Sequence, residues 1–316
     1  MEIIHDLNSL QPYPFPVVAL GNFDGVHIGH QTIVRTAIDR ARAASGSSLA
    51  LTFDPLPAKI LNPSRAPRLI MTPEDKHELL RNFGLDGVIV LTFSRELSML
   101  SPQDFAREYL RRRIGARVVV VGHNVSFGHR RAGNAEVMQR LGQELGFETT
   151  VIGPIERDGI AVSSTRVREM IKAGDMTRAA LLLGRPHFLR GEVVHGRERG
   201  RTIGFPTANI QSCTECLPPD GVYATRVVLE GGSHPSITNI GIRPTFGEPE
   251  RTIEAHIFDF NRDIYGREVK LEIEARIRPE RKFDSAQALA AQIASDLIRA
   301  KEILSARSVS ESDSPK

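Results

Sequence analysis

The 316-residue chain is marked first by what it lacks. No apolar run approaches the roughly 20 residues that a membrane-spanning helix requires. The opening residues, MEIIHDLNSL, show no basic segment leading into an apolar one, as a secretory signal would. A cytoplasmic protein without a membrane partner is the expectation. Cysteine is scarce: Cys213 and Cys216 stand alone, spaced C-x-x-C. No second pair exists to complete a zinc site. "QSCTECLPPDG" reads as a loop rather than the strand-to-helix junction of a redox dithiol, so two incidental thiols are expected. Charge of one sign is not in excess either. Lys and Arg total 41, Asp and Glu 38, net +3, and the densest basic stretch, "REYLRRR" at 107–113, is short. Nucleic acid is therefore not an expected partner, and no pattern specifies an oligomer. There is no Gly-Lys-Ser/Thr to mark a P-loop and no Ser–His–Asp constellation.

What is present alternates. Short apolar runs at Val17–Leu20, Leu49–Phe53, Val88–Leu91, Val118–Val121 and Thr149–Ile152 read as strands buried on both faces, as in a parallel sheet. Helical patterns separate them. Two begin like capping boxes: Thr72, Pro73 and Asp75 in one, Ser101, Pro102 and Asp104 in the other. Such alternation predicts right-handed βαβ units. The texture changes at Gly184-Arg185-Pro186. Strand-like segments follow at Arg190–His195, Gly221–Leu229, Ile237–Ile240, Ile253–Phe258 and Glu268–Ile277, with turns rich in glycine and proline. That spacing predicts an all-β sandwich or small barrel. One helix, about Ser285–Leu304, closes it, and the serine-rich remainder is expected to be disordered. The expected division is 1–183, 184–304 and a tail, 305–316.

The stretch "GNFDGVHIGH", Gly21 to His30, follows the first strand of the α/β half. Ligands of open parallel sheets bind beyond the carboxyl ends of the strands. Gly21 and Gly25 permit close backbone approach. His27 and His30, three apart, are expected to share a face of a helix's first turn, where free amides and the dipole favour an anion. A phosphate cradle is the favoured reading. A plain helix start, or a metal pair with Asp24 as third ligand, stays open. A second helix start, "VSSTRVREMIKAG", places Ser163, Ser164 and Thr165 beside Arg166 and Arg168. Cations there oppose the helix dipole by about 0.3–1 kcal/mol each, a conflict that a bound anion resolves. Capping residues with exposed arginines are the alternative.

These residues resemble the H-x-G-H signature of the nucleotidylyltransferase superfamily. With "VGHNVSFGHRRAGN" (Val121–Asn134) and "SSTRVR" (Ser163–Arg168) they resemble bacterial FAD synthetase. The resemblance implies a Rossmann-type sheet that adenylylates FMN with ATP and releases pyrophosphate. It makes His27 and His30 stabilisers of the ATP α-phosphate. Gly21, Asn22, Phe23, Asp24, Ser163, Ser164, Thr165 and Arg168 become ATP-binding residues. It sets Asn124 near the active centre, although Val125 stands where an aromatic is commoner. Phe53, Pro55 and Pro57 of "TFDPLP", with Phe127, become flavin contacts. No covalent intermediate is needed, since the attacking phosphate is already anionic and catalysis rests on positioning and charge stabilisation.

The β half holds "GRERGRTIGFPTANI", Gly196 to Ile210. Gly196, Gly200 and Gly204 with Arg197, Arg199 and Arg201 make a basic turning loop. Thr207 and Asn209, two apart, face one side of a strand and offer hard oxygens that suit Mg²⁺. In "TIEAHIFDFNRDIYG", Glu254, His256 and Phe258 point opposite to Ile253, Ala255 and Ile257. With "PPDGVYA", "NIGIRPTFG" and "IRPERKF", these segments resemble riboflavin kinase. That resemblance implies a six-stranded barrel with a closing helix. It gives Thr207 and Asn209 to Mg·ATP, with Gly204 in the closing loop and Arg243 as a further candidate. Glu254 becomes the base that deprotonates the ribityl hydroxyl of riboflavin. Together the two resemblances cover about 15–304 in the order of the bifunctional bacterial riboflavin kinase/FAD synthetases.

Overall fold

The computed structural model describes residues 1–8, 10–196, 205–243 and 250–312. The chain divides into two compact units, Met1–Leu69 with Pro73–Ser164, and Ile70–Thr72 with Thr165–Lys316.

The first unit is a six-stranded parallel sheet. Its strands are β1 (Glu2–Ile4), β2 (Pro16–Leu20), β3 (Ser47–Asp54), β4 (Gly87–Thr92), β5 (Val118–Gly122) and β6 (Glu148–Ile152), in the order β1-β4-β3-β2-β5-β6. Every residue of β2 is buried, and β3 and β5 are nearly so. Covered faces explain why these strands read as unbroken apolar runs. β1 carries no such signal, being three residues at an edge. The connections carry α1 (Ile28–Ala43), α2 (Pro57–Leu61), α3 (Pro73–Asn82), α4 (Arg95–Ser98), α5 (Pro102–Phe105) and α6 (Ala135–Leu145). α1 buries Ile33, Val34, Ala37 and Ala41, a helical stripe against the sheet. Leu49, Leu51, Ile89, Val119, Val121 and Met138 share one core, each large side chain contributing roughly 1.5–3 kcal/mol by burial. Ser101 caps α5 by accepting from the Asp104 amide at 3.0 Å. The chain then continues as a π-helical segment, Ala106–Arg113, rather than an α-helix. There Arg112 and Arg113 both pair with Glu108, and Arg107 pairs with Asp104.

A short ribbon, β7 (Glu156–Arg157) with β8 (Ile160–Ala161), precedes α7 (Ser164–Ala173) and α8 (Met176–Leu183). The division after Ser164 groups α7, apart from its first residue, and α8 with the second unit, whereas the sequence changes texture at Gly184. The second unit is a closed antiparallel barrel. β9 (His187–Val194), β10 (Ala208–Ser212), β11 (Gly221–Leu229), β12 (Gly232–Arg243), β13 (Glu250–Ile257) and β14 (Glu268–Pro279) run in the order β10-β13-β12-β11-β14-β9. This settles sandwich against barrel. Tyr223, Thr238, Ile253, Ala255, Leu271 and Ile273 are buried residues of these strands. On the other face, Val222, Ala224 and Ile237 cluster with Phe258 under Ala300 and Leu304 of α9 (Ala286–Ser312). The Arg278 guanidinium donates from Nε to both carboxylate oxygens of buried Asp296 on α9, at 3.1 and 2.9 Å. α9 runs past the expected end at Leu304 because neither proline nor glycine interrupts "SARSVSES". Cys213 and Cys216 are not joined in a disulfide. The Cys216 carbonyl instead lies 3.0 Å from Nε2 of buried His187.

Candidate active sites

Strand order reverses between β2 and β5, the topological switch point where a crevice opens in such sheets. "GNFDGVHIGH" leaves β2 there, and Asn124 lies two residues beyond β5. Phe23 and Val26 hold positive φ, 53° and 40°. Such conformations cost about 1–3 kcal/mol each in non-glycine residues, and both side chains are fully buried, which fixes them. The loop is pinned from two sides. Thr52 on β3 donates its hydroxyl to the Asn22 carbonyl at 3.1 Å, and Ser164 donates to the Asp24 carbonyl at 2.9 Å.

The two histidines meet at the start of α1, with His27 in the capping position rather than inside the helix. His27 is the N-cap of α1, and its Nδ1 accepts the His30 backbone amide at 3.3 Å. That bond requires an unprotonated Nδ1 and assigns the proton of the neutral ring to Nε2, a donor. The rings stack with centroids 3.6 Å apart and planes 16° from parallel. Gly29 makes the fit possible: a Cβ there would stand 3.2 Å from two His27 ring atoms. Phe23 packs edge-on to His30 at 5.4 Å, so its ring supports the site from below. His30 Nδ1 is buried and has no hydrogen-bond partner. Burial first, then the His27 and Lys76 charges, hold the His30 pKa well below its usual value. The His30 imidazole is therefore held neutral at neutral pH.

Lys76 was not legible as a site residue. It is buried on α3, donating to Thr52 Oγ1 at 3.2 Å and to the Phe53 carbonyl at 3.5 Å. Burial lowers its pKa, while Asp54 and Asp24 favour its charge. Its one sequence signal is the i, i+4 spacing to buried Leu80. Phe53 is half-buried and packs on Phe93 and Phe105, and Phe105 packs on Phe127. Pro55 follows a cis peptide bond. Phe127 belongs to the core, so it backs this aromatic wall. α7 has no acid in its first turn. Arg166, however, pairs with Glu169 at 2.6 Å, which balances one of the two cations. Arg168 is buried and Ser163 half-buried.

In the barrel, Asn209 on β10 is registered with Glu254 on β13. Directly paired residues project to the same face with Cβ atoms about 4.5–5.5 Å apart. Gly196 lets the backbone run against the Asn209 carboxamide. The segment entering β10 is tethered to β13: His256 Nδ1 lies 2.8 Å from the Pro206 carbonyl, and Phe205 packs edge-on to its ring. Sequence reading gave His256 no role beyond its outward direction. Thr207, half-buried, stands just before β10. Gly204 lies outside the described residues, as does the side chain of Arg243. Among the described residues no cluster of three or more His, Cys, Asp or Glu could hold a metal.

Two phosphate-suited sites, one on a Rossmann-type sheet and one on a closed barrel, define a two-domain nucleotide-using transferase. The FAD synthetase family model matches residues 14–166, and the riboflavin kinase model matches 183–304. The bifunctional riboflavin kinase/FMN adenylyltransferase of Escherichia coli K12 is 34% identical over 305 residues, 96% of this chain and 97% of that protein. Its counterpart from Bacillus subtilis strain 168 is 38% identical over 288 residues, 89% and 90% of the two chains. A crystal structure described as a macrolide-efflux protein from Streptococcus pneumoniae matches with TM-score 0.87 and 34% identity, over 95% of this chain and 98% of that one. No helix among the described residues here is long and apolar enough to cross a membrane. The chain belongs to the bifunctional riboflavin kinase/FMN adenylyltransferase family.

Proposed function

We propose that the barrel phosphorylates riboflavin to FMN with one ATP and that the α/β sheet adenylylates FMN to FAD with a second. The domains we assign are 1–183 for adenylyl transfer and 184–304 for the kinase, with 305–316 outside both. The substrates are water-soluble small molecules, which suits a cytoplasmic enzyme.

In adenylyl transfer, an FMN phosphate oxygen attacks the α-phosphorus of ATP. The bond to the bridging oxygen breaks, and pyrophosphate leaves. His27 and His30 donate to the α-phosphate oxygens as charge builds on them. Gly21, Asn22, Phe23 and Asp24 shape the cradle, Phe23 through its backbone and through His30. Ser163, Ser164, Thr165 and Arg168 hold the remaining phosphates at a helix start. Asn124 flanks the reacting phosphates. Phe53, Pro55 and Pro57, backed by Phe127, take the isoalloxazine.

In the kinase step, Glu254 takes the proton from the terminal ribityl hydroxyl as that oxygen attacks the γ-phosphorus, and ADP leaves. Thr207 and Asn209 offer a hydroxyl and a carbonyl beside the Glu254 carboxylate, a hard-oxygen donor set that fits Mg²⁺. When bound, the ion would neutralise phosphate charge there. Gly204, which the resemblance assigns to ATP binding, lies outside the described residues.

The observation that carries this reading is the coexistence of the stacked His27/His30 pair and the registered Asn209/Glu254 pair, each on its own unit. Purified protein given riboflavin, ATP and Mg²⁺ should yield FMN and then FAD by chromatography. His30→Ala should cut FAD formation by on the order of 10²–10³ and spare FMN formation, and Glu254→Gln should do the reverse. Loss of both activities in either folded variant would refute independent sites.

A further inference from the structure

The barrel registers place six residues in one row across its strands. Val194 pairs with Asn209, Asn209 with Glu254, Glu254 with Asn239, Asn239 with Val222, and Val222 with Arg278. Pairing fixes a common face. Val222 packs under Ala300 and Leu304, and Arg278 pairs with Asp296, both on α9. That face is therefore the one α9 covers at one end of the row. Glu254 is flanked by two carboxamides, Asn209 on one side and Asn239 on the other.

The row has a direction. Toward β10 lie Asn209 and Thr207, the residues we assign to the nucleotide. Toward β12 the residues on the same face are Ile237, Asn239 and Gly241, registered with His256, Glu254 and Thr252. Ile237 is buried in the α9 cluster and Gly241 has no side chain. The Glu280 carboxylate overlies Gly241, since a Cβ there would meet its Oε1 at 2.9 Å. Asn239 is half-buried and is the one polar side chain that β12 itself sets beside Glu254. A base between donor and acceptor must have the acceptor on the side away from the nucleotide. A polyol needs a partner that both donates and accepts, and a carboxamide does both.

We propose that Asn239 binds the ribityl chain of riboflavin, holding the hydroxyl next to the reacting one and so aligning the acceptor with Glu254. This rests on the assignment of Glu254 as base and of Asn209 to the nucleotide. The contact reads the polyol, not the flavin ring.

The test uses the full-length protein and two probes, riboflavin and lumiflavin, which carries the ring without the ribityl chain. Binding is followed by flavin fluorescence, and FMN formation by chromatography. Asn239→Ala should weaken riboflavin binding by about 3- to 10-fold, the size of one neutral hydrogen bond, leave lumiflavin binding unchanged and leave the KM for ATP unchanged. Asn239→Gln should recover part of the loss, and it provides the comparison if the alanine variant does not fold. Equal weakening for both flavins, no weakening for either, or a raised KM for ATP alone would overturn the assignment. Glu254→Gln separates the two failures. If that variant keeps its kcat, the base assignment falls. If it loses kcat while Asn239→Ala binds riboflavin like the parent, only the Asn239 assignment falls.

Discussion

Replacing Gly196 with alanine puts a methyl carbon where the Asn209 carboxamide now lies. An ideal Cβ at that position stands 2.1 Å from Nδ2, 2.4 Å from Cγ and 2.7 Å from Oδ1. Ordinary contact begins at about 3.4 Å, so Nδ2 has to retreat by about 1.3 Å. The obstacle is the far end of a side chain rather than backbone. Swinging it away should cost less than the 1–3 kcal/mol typical of an overpacked core. Stability is thus nearly preserved while Asn209 leaves the side of Glu254. A displacement of that size near reacting groups costs on the order of 10²-fold in rate. The assay is FMN formation from riboflavin and ATP. FAD formation from supplied FMN serves as the internal control, and thermal unfolding as the check on the fold. Kinase kcat/KM should fall by about 10²-fold and FAD synthesis should hold. A folded variant whose kinase kcat/KM stays within threefold of the parent would refute the argument that Asn209 must stay where it lies.

Other outcomes follow from single side chains. Burial pushes the His187 pKa down to about 4 from 6.5. The unfolded chain therefore binds that proton first as pH falls. The stability tied to neutral His187 is full above about pH 6.5 and is lost down to about 4. A gap of about 2.5 between the two values is worth about 3 kcal/mol, and urea unfolding of His187→Gln should show a shallower acid slope than the parent. Lys76→Met removes a charge that adds to burial in keeping His30 neutral. His30 should then protonate at higher pH, and FAD formation should begin to fail earlier on acidification while FMN formation keeps its profile. An unmoved acid limb would count against the role given to Lys76.

How far the sequence carried the fold depended on burial. β2 to β5 could be read because nearly all their residues are buried, and β6, only half-buried, because Thr149–Ile152 are all β-branched. β10 carries no apolar run of its own, since "ANIQS" is largely polar and only Ile210 is buried. In the sheet site the residue types were legible at His27 and His30, but their geometry was not. Spacing suggested one helix face, but not the capping bond that stacks His27 on His30. Lys76 escaped because a lysine in an amphipathic helix is ordinarily solvated. In the barrel, Asn209, Glu254 and Asn239 come from three strands spread over 46 positions of chain. Pairing register is a property of tertiary structure, and no local pattern announces it.

That row has a consequence for how this half of the enzyme tolerates change. Its spacing is set by backbone ladders, and a closed barrel leaves no free edge along which a strand can slide. Substitutions on the row alter one contact at a time. Inserting a single residue into β13 ahead of Glu254 would instead turn the carboxylate to the opposite face and bring a neighbour out in its place. Length changes belong at the turns, and the strand interiors behave as a fixed ruler.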